Sequence, residues 1–316
     1  MTFTVLLPWG CRSDKSLLDP VLSQLRKRTD IEYYPYEIPA GKFKESFEVI
    51  DELLKKDPWD LVICNADRIE MCGAAAAAFF NHVPIAQMYA GIKNNVGTMD
   101  DINRHVITLW SDLQFCESAC AAERVFEMKS AVGLPPNAHN VGITHFDDVE
   151  LKPCKTPEIP FTLVLYNAPA THLDKRHQQD QILEDIKTIR QYTTSPIDGH
   201  GYNVMAIMPA PDPSHELIRG WLEAMRVDHG WYVVESLPKE NFLYVLSRCT
   251  KYVSNSSTVV YEAPEYLPDS LIVHIGTRNS GRDRGPFEKG ASDKIVTIIE
   301  EFLCNRTNGK ETGNIR

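Results

Sequence analysis

Short apolar runs alternate with amphipathic helical stretches almost from one end of this chain to the other. Short runs bounded by turn residues are typical of buried strands, whereas apolar residues spaced three and four apart are typical of helices that cover a sheet. This alternation predicts parallel strands joined by crossover helices. We therefore expect an α/β fold class in which the chain forms two Rossmann-like, doubly wound units.

The same pattern places the individual elements along the chain. In the first half it predicts strands at Phe3–Leu7, Ile31–Ile38, Leu61–Cys64, Ile85–Tyr89 and Leu113–Cys116, and helices at Leu17–Arg28, Phe43–Lys56, Ile69–Asn81, Asp100–Leu109 and Ala119–Ser130. In the second half it predicts strands at Phe161–Tyr166, Val204–Met208, Trp231–Val234, Tyr252–Ser254 and Leu271–Ile275, and helices at Gln178–Gln191, His215–Val227, Lys239–Arg248, Thr258–Tyr266 and Asp293–Cys304. The alanine run at 74–80 is read as a buried helix, because alanine has the highest helix propensity.

A proline-rich segment separates the two halves. Residues 151–160, LKPCKTPEIP, carry three prolines and neither the strand nor the helix period, as expected of a linker. We expect an N-terminal domain at 1–152, a C-terminal domain at 153–305 and a polar, disordered tail at 306–316. Ligands of open α/β sheets bind at the carboxyl ends of the strands, so a site between the two domains is expected.

The charge balance argues against several classes of protein. The 316 residues carry 43 acidic and 33 basic side chains, a formal net charge of −10, which does not suit a protein that wraps nucleic acid. No apolar run approaches the roughly 20 residues of a membrane span. The first residues also lack the pattern of a signal peptide. We expect a cytoplasmic protein with no membrane partner, whose eight cysteines stay reduced.

Motifs for common cofactors are missing from the sequence. It contains no GxGxxG, GxxxxGK[ST], GxSxG or HExxH, and its histidines do not pair convincingly at metal-ligand spacing. The pair Asp147-Asp148 is expected to form a turn at the end of the first domain rather than a metal site. We therefore expect a reaction that needs no cofactor.

Charged side chains follow two predicted strands of the first half. Arg12 precedes a predicted helix, where it could bind a phosphate that the helix dipole attracts, or simply pair with Asp14 or Asp19. Asp67 follows the third strand and could act as an acid or a base, although it could equally cap the next helix. Arg68 beside it could hold Asp67 ionised or satisfy a helix end.

A denser cluster of ionisable residues follows the fourth strand. Asp100, Asp101, Arg104 and His105 come directly after a glycine-containing loop, at the start of a predicted helix. Spacings of three and four place Arg104 and His105 next to Asp101 on one helix face. The two acids could also be there for the helix dipole alone. We take these four residues as catalytic candidates together with Asp67.

The second half contains a predicted anion site. Hydroxyls and backbone N–H groups of Asn255-Ser256-Ser257 lie between a strand and a helix start, where a diphosphate would fit. Glu262 could accept hydrogen bonds from ribose hydroxyls. The next strand ends in IGTRNSGRDRG, which concentrates positive charge against an acidic background. The binding candidates of this half are Asn255, Ser256, Ser257, Glu262, Arg278 and Arg282.

Five blocks, in the same order along the chain, resemble the hydrolysing UDP-N-acetylglucosamine 2-epimerase family. They are GCRSDKSLLDPVL, NADRIE, GTMDDINRHVIT, LPKENFLYVLSRCTKYVSNSSTVVYEAP and IGTRNSGRDRG. The resemblance implies a glycosyltransferase-B type fold, a UDP-sugar ligand and a homodimer. It also implies that Arg12, Ser256, Ser257, Glu262 and Arg278 hold the nucleotide, whereas Asp67 and the Asp100–Asp101 pair flank the sugar.

Family chemistry eliminates UDP from the sugar while a base removes the C2 proton, and then adds water or UDP to the resulting glycal. Two departures stand out on the sugar side. The family's Gly-Gly-Glu loop corresponds to Ala90-Gly91-Ile92, and the family's active-site histidine faces Asn167, so either Asn167 replaces it or His172 has moved in. Three hypotheses follow: a 2-epimerase that uses Asp67 and Asp101 as acid and base, with Lys93 or His172 assisting; a glycosyltransferase with a sugar acceptor, or a nucleotide-sugar hydrolase; and a non-catalytic binder of nucleotide sugars.

Overall fold

The computed structural model describes residues 2–65, 67–93, 99–169, 175–193, 203–210, 214–280 and 289–307. The chain divides into two compact units, each with its own sheet. Unit 1 comprises Met1–Lys93, Asp100–Asp148 and Asp283–Arg316, and unit 2 comprises Asn94–Met99 and Val149–Arg282. None of the helices in these described ranges is long and apolar enough to span a bilayer.

Unit 1 contains a six-stranded parallel sheet in the order β2-β1-β3-β4-β5-β6. Its strands are β1 (Phe3–Trp9), β2 (Ile31–Glu37), β3 (Leu61–Asn65), β4 (Ile85–Met88), β5 (Leu113–Cys116) and β6 (Ala138–Asn140). Its helices are α1 (Arg12–Leu25), α2 (Phe43–Lys56), α3 (Ile69–Phe80), α4 (Met99–Trp110), α5 (Ala119–Ala131) and α10 (Ala291–Thr307). Because every neighbouring pair is parallel, all six strands end at one edge of the sheet.

Unit 2 contains a five-stranded parallel sheet in the order β11-β10-β7-β8-β9. Its strands are β7 (Thr162–Leu165), β8 (Val204–Ile207), β9 (Tyr232–Val234), β10 (Lys251–Ser254) and β11 (Ile272–His274). Its helices are α6 (Lys175–Thr193), α7 (His215–His229), α8 (Lys239–Arg248) and α9 (Thr258–Tyr261), with 3₁₀ turns at Ala263–Glu265 and Asp269–Leu271. The predicted α/β class with two Rossmann-like units is therefore confirmed.

The alanine run forms the buried helix that the sequence predicts. All five alanines of Ala74–Ala78 in α3 are buried, and all but Ala76 belong to the core cluster that includes residues of the sheet and α2. Small residues bring these helices close together, since a Cβ atom at Gly73 would lie 2.4 Å from the carbonyl oxygen of Phe43. A larger side chain at Gly73 would therefore push α2 away from α3.

Helix α10 comes from the C-terminal part of the chain but belongs to unit 1. It packs against α1, and Arg28 at the end of the α1 segment forms ion pairs with Asp293 and Glu300. The predicted second domain, 153–305, includes this helix, whereas the structure assigns it to unit 1. Apolar spacing predicts that a helix forms but does not show which sheet it covers. Of the predicted tail, Arg306 and Thr307 complete α10, and the remaining residues lie outside the described part of the chain.

Asp147 connects the 144–148 turn to the start of α10. Its side chain is buried and accepts hydrogen bonds from the backbone N–H groups of Gly290 and Ser292, both at 2.7 Å. The predicted turn at Asp147-Asp148 is present. The carboxylate satisfies donors that a helix start leaves without intrahelical partners.

We expect Asp147→Asn to destabilise the protein by about 1–3 kcal/mol, because an amide NH₂ would face a buried backbone donor. Asp148→Asn, at the exposed neighbouring position, is the matched control and should change stability by less than about 0.5 kcal/mol. Urea unfolding followed by circular dichroism measures both variants. Equal midpoints for the two variants would contradict a capping role for Asp147.

Candidate functional site

In unit 1, the buried Asp101 and Arg104 form one cluster with the half-buried Asp67. The guanidinium of Arg104 donates from Nη1 to Asp101 Oδ1 at 3.0 Å and to the carbonyl oxygen of Ile92 at 3.1 Å, and from Nη2 to Asp67 Oδ2. Arg104 is only 2% exposed, whereas Asp100 in the same helix is half-buried. Arg104 therefore holds two acidic side chains and a loop carbonyl in fixed positions, and it acts as a positioning residue.

The backbone around Arg104 is also fixed, by hydrogen bonds between α4 and β4. The side-chain amide of Gln87 donates to the carbonyl oxygen of Arg104 at 3.0 Å, and Thr108 Oγ1 donates to Gln87 Oε1 at 2.7 Å. All three residues are buried. Helix α4 is thus held in one register on the sheet, which places Asp101 and Arg104 at the edge where β3 and β4 end.

The loop after β4 has an unusual backbone held by two arginines. Tyr89 has a φ of +58° and Gly91 a φ of +73°, the left-handed region that bulky residues rarely adopt. A Cβ atom at Gly91 would lie 2.2 Å from the carbonyl oxygen of Ala121. Arg124 donates a hydrogen bond to the carbonyl oxygen of Gly91, and Arg104 donates one to the carbonyl oxygen of Ile92. The carbonyl oxygens of Gly91 and Ile92, in the segment that corresponds to the family's Gly-Gly-Glu loop, therefore each accept a hydrogen bond from an arginine.

His105 is half-buried next to this cluster. Burial and the positive charges of Arg104, Arg124 and Lys93 lower its pKa, although Asp101 opposes them. Its Nδ1 atom is enclosed and has no hydrogen-bond partner within the described part of the chain. His105 therefore stays neutral at a pH where an ordinary histidine begins to take up a proton.

The lowered pKa of His105 makes stability depend on pH. Below the ordinary histidine pKa of about 6.5 the unfolded chain binds this proton more readily than the folded chain, so stability falls as the pH is lowered. We expect His105→Gln to lack this loss. Between pH 7.5 and pH 5.5, the urea midpoint of the variant should therefore fall less than that of the wild-type protein. The same difference between the two midpoints at both pH values would contradict the environment described for His105.

The start of α1 contains an acid that the sequence analysis did not single out as a site residue. Asp14 Oδ2 accepts the backbone N–H groups of Gly10 and Cys11, both at 3.2 Å, and burial raises its pKa. Arg12 is the first residue of α1, and its side chain is outside the described atoms. Asp14 thus fixes the backbone that leads into α1. The role of Arg12 in binding a phosphate stays a prediction.

Glu70 is a second fully buried acid at the same edge. It accepts hydrogen bonds from the backbone N–H of Gly41 at 3.0 Å and from Arg68 Nε at 2.7 Å. A Cβ atom at Gly10 would lie 2.6 Å from Glu70 Oε1, so only glycine fits there. The two residues before α3 have different partners. Asp67 pairs with Arg104 and does not cap α3, whereas Arg68 pairs with Glu70. Glu70 therefore bonds to the loops that follow β2 and β3 and packs against Gly10 in the loop after β1.

In unit 2, three asparagines connect the loops at the carboxyl edge of the sheet. The backbone N–H of Asn167 donates to Asn255 Oδ1 at 2.8 Å, and Asn255 Nδ2 donates to the carbonyl oxygen of Asn167 at 2.7 Å. Asn167 Oδ1 accepts the N–H of Ala210 at 2.9 Å. Asn279 Nδ2 donates to the carbonyl oxygens of Asn255 and Ser256. This asparagine network links the ends of β11, β10, β7 and β8, which are neighbours in the sheet.

The predicted binding residues of unit 2 lie around this network. Ser256 donates its N–H to Ser254 Oγ at 2.9 Å, and Ser257 is the residue before α9. Glu262 follows α9 and is buried, while Arg278 is half-buried after β11. The helix that begins here has only four residues, because Pro264 prevents its continuation. Two further candidates lie outside the described residues, Arg282 and His172.

A buried acid near Arg278 was not found from the sequence. Tyr166 donates its hydroxyl to Asp185 Oδ2 at 2.7 Å, and Gln181 Nε2 donates to Asp185 Oδ1 at 2.8 Å. Burial raises the pKa of both Tyr166 and Asp185, and the positive charge of Arg278 opposes the effect on the tyrosine. Tyr166 follows β7 whereas Gln181 and Asp185 belong to α6, so no single local motif shows all three. Among the described residues, no three His, Cys, Asp or Glu side chains are arranged to hold a metal ion.

Known proteins resemble this chain over most of its length. A protein-family model described as UDP-N-acetylglucosamine 2-epimerase matches residues 40–314. A curated relative from Legionella pneumophila, UDP-N,N'-diacetylbacillosamine 2-epimerase (hydrolyzing), is 22% identical over 275 residues, which cover 83% of this chain and 66% of that protein. The match thus spans just under two thirds of that relative's length.

Solved structures share the fold over nearly the whole chain. The S. aureus MnaA–UDP co-structure has a TM-score of 0.72 at 14% identity and covers 96% of this chain and 97% of that one. The Methanocaldococcus jannaschii UDP-GlcNAc 2-epimerase in complex with UDP-GlcNAc and UDP has a TM-score of 0.71 at 15% identity, with coverage of 95% and 100%. The fold class is therefore that of the glycosyltransferase-B type.

Proposed function

Because this chain belongs to the UDP-N-acetylglucosamine 2-epimerase family, we propose that it is an enzyme that acts on a UDP-sugar and inverts C2 of the sugar. UDP-N-acetylglucosamine or a close relative is the substrate, and free C2-epimerised sugar and UDP are the products. The observation that carries the proposal is the Asp67–Arg104–Asp101 cluster, with His105 beside it, at the carboxyl edge of the unit 1 sheet.

The cluster suits proton transfer at carbon. Asp67 and Asp101, as carboxylates paired with one guanidinium, are proton acceptors in fixed positions. His105 is a neutral imidazole that can accept a proton at one nitrogen and donate from the other. A base and a second proton carrier on different sides of C2 are what an inversion needs.

The proposed reaction proceeds in two steps. In the first, a carboxylate removes the C2 proton, the C1–O bond breaks, and UDP leaves with the bonding electron pair. The product is a glycal with a double bond between C1 and C2. In the second step water adds its hydroxyl to C1, and a proton is delivered to C2 from the opposite face. Atoms balance, since one UDP-sugar and one water give UDP and one free sugar.

Unit 2 supplies the groups that hold the nucleotide in this proposal. The hydroxyl groups of Ser256 and Ser257, with the positive charge of Arg278, suit the two phosphates. Glu262 suits the ribose hydroxyls. The solved structures with UDP or UDP-GlcNAc bound to proteins of this fold support the choice of ligand. We further propose that the protein works as a homodimer, which sedimentation velocity would test.

A proton nuclear magnetic resonance time course tests the proposed reaction. Purified protein is incubated with UDP-N-acetylglucosamine in deuterated water. We expect free N-acetylmannosamine with deuterium at C2, because the second step takes its proton from solvent. Unchanged substrate over many hours would contradict the epimerase proposal.

A glycosyltransferase or nucleotide-sugar hydrolase is the second candidate. The observation that favours it is the replacement of the family's glutamate and histidine by the segment Ala90-Gly91-Ile92 and Asn167. Neither alternative reaction needs a base at C2. Release of UDP without deuterium at C2, or only after addition of a sugar acceptor, would favour this candidate.

A further inference from the structure

Tyr89 has a backbone conformation that costs a tyrosine more than it would cost a glycine. The residue directly follows β4, its φ is +58°, and its side chain is only 6% exposed. Glycine would adopt this conformation without the steric cost of a Cβ atom. A bulky residue stays in such a conformation only where the surrounding contacts fix it, and such residues concentrate at functional sites. The side-chain contacts of Tyr89 therefore indicate its role.

Those contacts anchor the hydroxyl group of Tyr89 to the 144–148 turn. The hydroxyl oxygen accepts the backbone N–H of Thr144 at 3.1 Å and lies 2.8 Å from Thr144 Oγ1. Thr144 Oγ1 donates its single proton to the carbonyl oxygen of Leu17 in α1, at 2.9 Å. Tyr89 is therefore the donor in the bond between the two hydroxyl groups.

The same count of protons assigns the imidazole of His145. Its Nδ1 atom lies 3.3 Å from the hydroxyl oxygen of Tyr89, whose only proton goes to Thr144. His145 Nδ1 therefore carries a hydrogen and donates it to Tyr89. The two rings also meet edge to face, with centroids 5.6 Å apart. All three residues are buried, so two donors and one acceptor hold the hydroxyl of Tyr89 in one place.

The backbone that leaves Tyr89 reaches Arg104 within three residues. The carbonyl oxygen of Ile92 accepts a hydrogen bond from Arg104 Nη1 at 3.1 Å. The same guanidinium pairs with Asp67 and Asp101. A displacement of Tyr89 therefore moves the Ile92 carbonyl and, through it, the guanidinium that holds the two acidic side chains.

We propose that Tyr89 is a positioning residue for the reaction: its hydroxyl group, anchored on Thr144, fixes the loop whose Ile92 carbonyl holds Arg104 in place. This inference rests on the proposed function, because the cluster around Arg104 carries that function. Tyr89 acts through Arg104 and takes no part in the proton transfers. The hydrogen bonds of its hydroxyl group offset the cost of its left-handed backbone.

Tyr89→Phe tests the anchor, because it removes the hydroxyl group and keeps the ring. We expect kcat to fall about tenfold, less than the hundredfold cost of a displacement of about 1 Å, since the ring still packs in place. The affinity for UDP should not change, because the predicted nucleotide contacts lie on other loops. The deuterium-labelled time course, run well below the melting temperature of each protein, gives kcat, and calorimetry gives the affinity. A hydroxyl group that only stabilised the fold would leave the kcat of the folded protein unchanged.

A double variant tests whether Tyr89 acts through Arg104. If it does, Tyr89→Phe should cost little further activity in a protein that already carries Arg104→Lys, so the two losses should not multiply. Residues that act independently would give a double variant whose loss is the product of the two single losses.

Variants of Thr144 test the same anchor from its other side. Thr144→Val removes the acceptor of the Tyr89 proton, so it should lower kcat about as much as Tyr89→Phe and add nothing to it. It also tests the inference if Tyr89→Phe does not fold. Thr144→Ser keeps the hydroxyl group and should keep the wild-type kcat.

Tyr33→Phe is the control for the loss of a tyrosine hydroxyl group. The hydroxyl of Tyr33 accepts a hydrogen bond from Arg26 Nε at 3.2 Å, at an exposed place on unit 1. Its removal should leave kcat unchanged. A fall in kcat equal to that of Tyr89→Phe would contradict a specific role for Tyr89.

The outcomes separate this inference from the proposed function. If the wild-type protein turns over UDP-N-acetylglucosamine and Tyr89→Phe keeps the same kcat, the inference is wrong while the proposed function stands. If kcat falls but the losses from Tyr89→Phe and Arg104→Lys multiply, Tyr89 does not act through Arg104, and the inference is again wrong. A wild-type protein without turnover would overturn both.

Discussion

Arg104→Ala is expected to destabilise the protein by about 3–5 kcal/mol and to lower turnover by a hundredfold or more. The first effect arises because the buried Asp101 and the half-buried Asp67 would both lose the guanidinium that pairs with them. The second arises because reacting groups displaced by about 1 Å can cost a hundredfold in rate. The stability and turnover of Arg104→Lys should lie between those of Arg104→Ala and the wild-type protein. An ammonium group keeps the charge but lacks the planar guanidinium that reaches three acceptors.

The matched control is Arg219→Ala. Arg219 forms a two-pronged ion pair with Glu235, at 3.0 and 2.8 Å, but on the surface of unit 2. Solvent and salt screen such a pair, so neither melting temperature nor turnover should change appreciably. Thermal melts and steady-state rates on the same preparations measure both variants. Equal loss in the two variants would contradict the positioning role of Arg104.

Asp101→Asn and Asp67→Asn should each lower kcat by about 10²–10⁴-fold, the usual contribution of a positioned acid or base. The affinity for UDP should stay within about threefold, because the predicted nucleotide contacts lie on other loops. An amide has the same shape as the acid, so Arg104 keeps an oxygen acceptor, but an amide cannot take up a proton. Rates come from the deuterium-labelled time course, and affinities from calorimetry.

Asp60→Asn is the control for these two variants. Asp60 precedes β3, at the opposite edge of the sheet, where its carboxylate accepts the N–H of Thr4 at 2.8 Å. This variant should lose some stability and keep its kcat. A kcat for Asp101→Asn that equals the kcat of the control would remove Asp101 from the chemistry.

The sequence predicts the elements of this fold well, since their positions depend on local spacing. Helices Phe43–Lys56 and Lys239–Arg248 begin and end at the predicted residues. Helix α1 begins five residues before the predicted Leu17, because Asp14 holds its first turn and apolar spacing does not show such a contact. Strand β6 was missed because its three residues are too few for a period.

The site is less predictable because its contacts join distant segments. The spacing between Asp101 and Arg104 predicts that they are neighbours, and their hydrogen bond confirms this. Nothing in the spacing shows that Asp67 pairs with Arg104, 37 positions away, rather than with the adjacent Arg68. The asparagine network likewise connects residues about 88 positions apart, so it becomes visible only in three dimensions.

The place of α10 decides how this chain can be divided for experiments. A fragment that stops near residue 148 keeps all six strands of the first sheet but lacks the helix whose apolar side covers α1. That uncovered surface favours aggregation. Supplying α10 through a short fused linker, or as a separate peptide, restores the missing cover. We therefore expect that circular permutation of the gene can separate the two units, whereas truncation of the chain at one position cannot.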